Sequence, residues 1–319
     1  MDIDDLLGKK LIVVTGKGGV GKTAVSLSLS YLNARHKRRP LYVTLKKVDR
    51  GSYFFGLDGG LDSVERPIDK GINAVYIDPN AALSEYIREN FVRLYPVYSA
   101  ILKSRTLQTF FEAAPGLKEL ITIGKVWHLG TRGGRHKAPA QGYDQVIFDA
   151  PSTGHAIPVL DLPTKVLQMV RGGAFRSHIE WVEGFLKDPE KTAVVVVSAP
   201  EEMVVGETLE LIDAVRSIGI SVLFTAVNKV YENPFTKSEE ETILGLFGSD
   251  EFPNAERILN IAKKHIERAN TSDRHIKKLS AGLKDGVLVV PKIFKKDLTP
   301  ADLKHMASSL EAQTGGGNR

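Results

Sequence analysis

The chain contains no cysteine among its 319 residues, which excludes disulfides and every metal or cluster site built on thiolates. It carries only 4 methionines and 2 tryptophans, so it is short of the pliable thioether side chains that line promiscuous apolar grooves. No apolar run approaches the roughly 20 residues needed to cross a bilayer. The opening residues Met1-Asp2-Ile3-Asp4-Asp5 are acidic, unlike the positive start of a secretory leader. These absences predict a cytoplasmic protein with no stable membrane insertion. Charge of one sign is not concentrated either. The formal net charge is +5, a weak pull toward acidic partners, and no recognisable nucleic-acid module accompanies it, so no specific nucleic-acid partner is expected.

Against those absences stands a dense stretch of glycine and lysine. Gly16-Lys17-Gly18-Gly19-Val20-Gly21-Lys22-Thr23 follows the apolar run Leu11-Ile12-Val13-Val14 and precedes a helical pattern opening near Lys22 and Ala24. The pattern G-x-x-x-x-G-K-[ST] between a strand and a helix is a phosphate-binding loop. Glycines let the backbone wrap close to phosphate oxygens, and the N–H groups at the helix start point at them. Lys22 is expected to meet the β- and γ-phosphates, and the Thr23 hydroxyl to ligate Mg²⁺. ATP and Mg²⁺ are therefore the expected cofactors.

Further buried strands are predicted at Leu41–Leu45, Ile72–Ile77, Tyr143–Asp149, Thr192–Ser198, Val222–Val227 and Gly286–Val290, with helical patterns between them. The alternation predicts an α/β fold, one doubly wound, mostly parallel sheet spanning residues 1–319. Asp149 ends the best acid-terminated strand and is placed to reach the Mg²⁺ shell. Residues 80–130 and 163–188 are predicted to form a helical subdomain. The first holds Tyr86, Phe91, Tyr95, Tyr98, Phe110, Phe111 and Trp127. The basic, turn-rich stretch 131–142 and the tail 314–319 are expected to be flexible.

Lys17 narrows the class. Gly-Lys-Gly-Gly-Val-Gly-Lys-Thr resembles the deviant phosphate loop of the family that includes MinD and ParA, nitrogenase iron protein, the arsenite-pump ATPase ArsA and the targeting ATPases for tail-anchored membrane proteins. Asp149-Ala150-Pro151-Ser152-Thr153-Gly154-His155 is similar to switch II of the ArsA branch. Pro200-Glu201 with Glu207-Thr208 resembles its Pro-Glu motif and following helix. The resemblance implies that Lys17 reaches across a nucleotide-sandwich dimer, a homodimer or a heterodimer with a paralogue. It also implies that Asn228 reads the adenine edge, that Pro291 lies in the loop closing over adenine, and that helices near the site meet a protein client or regulator. The lack of cysteine argues against an arsenite site of the thiolate kind.

The resemblance fails at switch I. Where relatives carry an aspartate associated with the attacking water, this chain reads Leu45-Lys46-Lys47-Val48-Asp49-Arg50. A cation cannot hold a water as a carboxylate does. Asp49 either stands in from a shifted loop or is a turn aspartate. The sequence thus supports an ATPase, with Lys17, Lys22, Asp149 and Asp49 as candidate catalytic residues. It also supports a regulatory subunit that holds ATP but turns it over poorly, with a MinD/ParA-like positioning switch as a third reading.

Overall fold

The computed structural model describes residues 2–90, 116–132, 142–246, 256–283 and 285–314. Among them eight strands form one sheet in the order β3-β4-β2-β5-β1-β6-β7-β8. They are β1 (Leu11–Gly16), β2 (Pro40–Thr44), β3 (Arg66–Asp69), β4 (Ile72–Tyr76), β5 (Gln145–Asp149), β6 (Thr192–Ser198), β7 (Val222–Val230) and β8 (Gly286–Pro291). Every pairing is parallel except β3 with β4. The doubly wound, mostly parallel α/β expectation therefore holds.

The helices, in chain order, are α1 (Ile3–Gly8), α2 (Lys22–Arg35), α3 (Arg50–Phe54), α4 (Pro79–Asn90), α5 (Leu117–Arg132), α6 (Thr153–Met169), α7 (Ala174–Lys187), α8 (Glu202–Ser217), α9 (Lys237–Gly245), α10 (Glu256–Ala281) and α11 (Pro300–Thr314). Because side chains alternate along a strand, β1 feeds two cores. Ile12 and Val14 join the apolar cluster under α2 and α11, while Leu11 and Val13 join the one under α5, α6, α7 and α8. Burial on both faces is what the unbroken β-branched runs require. α2 is enclosed along most of its length, from Ala24 to Asn33. Two of its internal serines bond back to the helix, Ser28 donating to the Ala24 carbonyl at 2.7 Å and Ser30 to that of Ser26 at 3.0 Å.

Several boundaries differ from expectation. α6 begins at Thr153, within the switch II motif, and not at Pro163; it accommodates Pro158 and Pro163 internally. The break before α7 falls at Gly172-Gly173, as the two glycines predict, and Gly173 has φ +93°. Thr131 and Arg132 end α5, and Thr314 ends α11, so these three are helical; residues 133–141 and 315–319 of the expected flexible stretches lie outside the described residues. So do Phe91, Tyr95, Tyr98, Phe110 and Phe111. β3 was not expected: Arg66-Pro67-Ile68-Asp69 has a polar, proline-containing composition that fits only a sheet edge.

Candidate nucleotide-binding site

The site is assembled where β2, β5 and β1 end side by side. Thr44 and Val14 both pair in register with Asp149, so the last residues of β2 and β5 lie beside β1 two residues before its end. The turn out of β1 works only with glycine. Gly16 has φ +151°, and a Cβ there would lie 2.1 Å from the Val197 carbonyl oxygen of β6. Gly21 precedes α2 with φ +101° and places no side chain over the helix start. The N–H groups of the first turn are thereby left to a ligand, with the positive end of the helix dipole behind them.

Around this helix start is a cavity of about 860 Å³. Gly18, Gly19, Gly21, Lys22, Thr23, Ala24, Asp149, Asn228 and Pro291 line it, as do Lys46 and Asp49. Gly16, Lys17 and Val20 lie outside its wall. Gly16 shapes the turn, and Val20 is 2 % exposed and packs into the core.

Lys22 curls back over the loop, its ammonium donating to the carbonyls of Gly16 at 3.1 Å and Lys17 at 3.2 Å. Burial lowers its pKa, Asp149 opposes that shift and Lys46 adds to it. Thr23 Oγ1 donates to Asp149 Oδ2 at 2.6 Å. Burial pushes the Asp149 carboxyl up to about 6, against the hydrogen bonds from Thr23 and Tyr42 that pull it down. Thr23 and Asp149, a hydroxyl and a carboxylate held together, are the residues that would hold Mg²⁺. Lys22 and the first turn of α2 would hold phosphates. This donor set fits a Mg²⁺–nucleotide complex.

Asp49 is neither a surface turn residue nor free in the cavity. It caps α3: Oδ1 accepts from the Ser52 N–H at 2.8 Å, and the Ser52 hydroxyl reaches back to the Asp49 N–H and carbonyl. The Tyr42 hydroxyl lies 2.9 Å from Asp49 Oδ2 and 3.0 Å from Asp149 Oδ2. A phenol with one proton thus bridges two carboxylates, at a buried residue that the sequence reading did not single out.

Asn228, at the end of β7, donates its Nδ2 to the Val20 carbonyl at 2.8 Å. This fixes the amide and leaves Oδ1 as its acceptor. The same Nδ2 is what a Cβ on Gly21 would strike, at 2.2 Å. Next to it Lys229, with φ +62°, donates to the Gly19 carbonyl at 2.6 Å; an Asn-Lys pair closing a strand was the one signal for it. Pro291 ends β8 on the same cavity wall.

Lys17 points away from Lys22 and forms an ion pair with Glu207 of α8 at 2.6 Å. Gly154 and His155 occupy the first turn of α6, both exposed. His155 has no side-chain hydrogen bond among the described residues.

Comparison with known proteins agrees with this geometry. The family described as anion-transporting ATPase matches residues 9–172 and 171–242. The ATPase BagA of Mycobacterium tuberculosis is 30% identical over 229 residues, covering 70% of this chain and 66% of BagA. The chain thus spans a little under two thirds of that relative's length. The ATPase get3 of Schizosaccharomyces japonicus is 26% identical over 260 residues, 72% of this chain and 76% of that protein. With its phosphate loop, acid-ended neighbouring strand and switch II helix in place, the chain belongs to the ArsA family of anion-transporting ATPases.

Proposed function

We propose that the protein is a Mg·ATP-binding ATPase that acts as a dimer, with itself or with a paralogue, and whose nucleotide state reshapes a helical partner-binding surface. The observation that carries this reading is the convergence of Lys22, Thr23 and Asp149 at the open start of α2, with Thr23 Oγ1 2.6 Å from Asp149. Bound at this site, ATP would supply the phosphoryl group and Mg²⁺ would neutralise charge on the phosphate oxygens. The chain's part is to cradle the phosphates on the loop, to fix the metal through Thr23 and Asp149, and to read the base with Asn228 Oδ1. An acceptor at that position suits the amino edge of adenine.

The partner surface in this reading is the region of α4 to α7. Trp127 and Trp181 stack at 6.4 Å, with His178 edge-on to Trp181 at 5.0 Å and Tyr86 bonded to His178 at 3.0 Å. Met169 at the end of α6 is 80% exposed and Trp181 on α7 is 53% exposed. α6 begins in switch II, so one helix joins the nucleotide end to this surface. No described helix is long and apolar enough to cross a membrane; the working place proposed for the protein is the cytoplasm.

A regulatory-subunit reading has its own observation. Lys46 occupies the switch I position, and Asp49 is committed to capping α3 and to Tyr42. In that reading a paralogue performs turnover. Steady-state phosphate release from saturating Mg·ATP decides between the two, with Lys22→Ala as background. Turnover that Lys22→Ala abolishes supports the ATPase; release equal to that background in the unmodified chain assigns it to regulation.

A further inference from the structure

Lys46 stands two residues past Thr44, the β2 residue paired in register with Asp149. Its backbone N–H is steadied by Thr44 Oγ1 at 3.3 Å, and its side chain lines the same cavity as Lys22, Thr23 and Asp149. Among the described residues it forms no ion pair. Its near neighbour in sequence, Asp49, has both oxygens engaged, one by the Ser52 N–H and one beside the Tyr42 hydroxyl. Lys46 and Lys22 bring two ammonium groups to the cavity that Asp149 also lines; like charges repel each other, and an anion bound between them removes that cost.

We propose that Lys46 is a second phosphate-binding lysine, acting within its own chain on the terminal phosphate of a nucleoside triphosphate at the place where a water-orienting carboxylate would otherwise stand. This rests on the nucleotide-site reading above. Lys22, rooted in the loop, serves di- and triphosphates alike. Lys46 enters from the loop after β2, on the same cavity as Asp149, and has its full effect only when a third phosphate is present. The exchange of a carboxylate for an ammonium therefore changes what the site selects: it favours retention of the triphosphate over its turnover.

The test is calorimetric titration of the full-length, nucleotide-free protein with Mg²⁺ and either AMP-PNP, a triphosphate analogue that is not hydrolysed, or ADP. A charge-assisted contact to the terminal phosphate predicts that Lys46→Ala weakens AMP-PNP about tenfold or more while ADP changes by less than about twofold. Lys46→Arg keeps the preference. Intact ADP binding also reports that the Lys46→Ala chain is folded. Equal losses for both ligands, or no loss for either, overturn the proposal. Failure of the unmodified chain to bind either nucleotide overturns instead the site reading beneath it.

Discussion

The ammonium of Lys17 and the carboxylate of Glu207 lie 2.6 Å apart, so the first lysine of the phosphate loop is paired inside its own chain. The side chains are 32% and 40% exposed, and a pair this wet contributes between zero and about 1 kcal/mol. A triphosphate presented by a second chain outcompetes it easily. Glu207→Gln is expected to leave the thermal midpoint within about 3 °C and to favour the proposed ATP-dependent dimer, whereas Lys17→Ala should prevent it. Sedimentation velocity with and without Mg·ATP measures both; a Lys17→Ala chain that still dimerises on ATP would remove Lys17 from the interface.

Gly16 and Gly18 sit two residues apart and should respond oppositely to alanine. At Gly16 the added Cβ meets the Val197 carbonyl oxygen at 2.1 Å on a φ of +151°, so a central strand must move; at Gly18 nothing lies within 4 Å. Gly16→Ala is predicted to cost about 2–4 kcal/mol, which lowers the midpoint by roughly 3–6 °C. Gly18→Ala should leave it unchanged. Differential scanning calorimetry of the ligand-free variants checks the contrast, and equal midpoints would contradict the packing described for this turn.

Asp302, in the first turn of α11, provides a pH-dependent test of stability. The Lys295 ammonium 2.6 Å away, together with the Thr299 hydroxyl and N–H, holds its carboxyl down at about 2. A depressed carboxyl stabilises the fold above its unfolded value, here 3.8, and loses that contribution as pH falls through the folded value. Asp302→Asn should therefore cost about 1 kcal/mol at pH 7, with the difference from the unmodified chain shrinking between pH 4 and 2. Urea titrations at pH 7, 4 and 2.5 measure it; a gap independent of pH would mean that the carboxylate charge plays no part.

The sheet was legible because its central strands are apolar on both faces, and Val194 to Val197 or Leu11 to Val14 can be buried in no other way in a chain of this length. Asp78 starts α4, its Oδ1 accepting the N–H groups of Asn80 and Ala81, in the Asp-Pro pattern that opens helices. β3 escaped notice because an edge strand needs no apolar alternation. Within the candidate site, the loop residues were proposed from their spacing and Asp149 from the strand that it ends. Tyr42 was not: its hydroxyl acts on carboxylates 7 and 107 positions away, a relation set by strand pairing and not by local pattern. The Lys17–Glu207 pair, 190 positions apart, was hidden for the same reason.

Pro158 and Pro163 give α6 a mechanical character. Each lacks an N–H, so the carbonyls four residues before them, of Gly154 and Val159, have no helical donor. The two gaps are spaced about 7.5 Å along the axis and make the helix compliant near switch II. Beyond them, Arg176 ties the carbonyls of Leu167 and Val170 to α7. The element is a rod with one joint near its switch II end and a second past its middle, and its far end is clamped to α7.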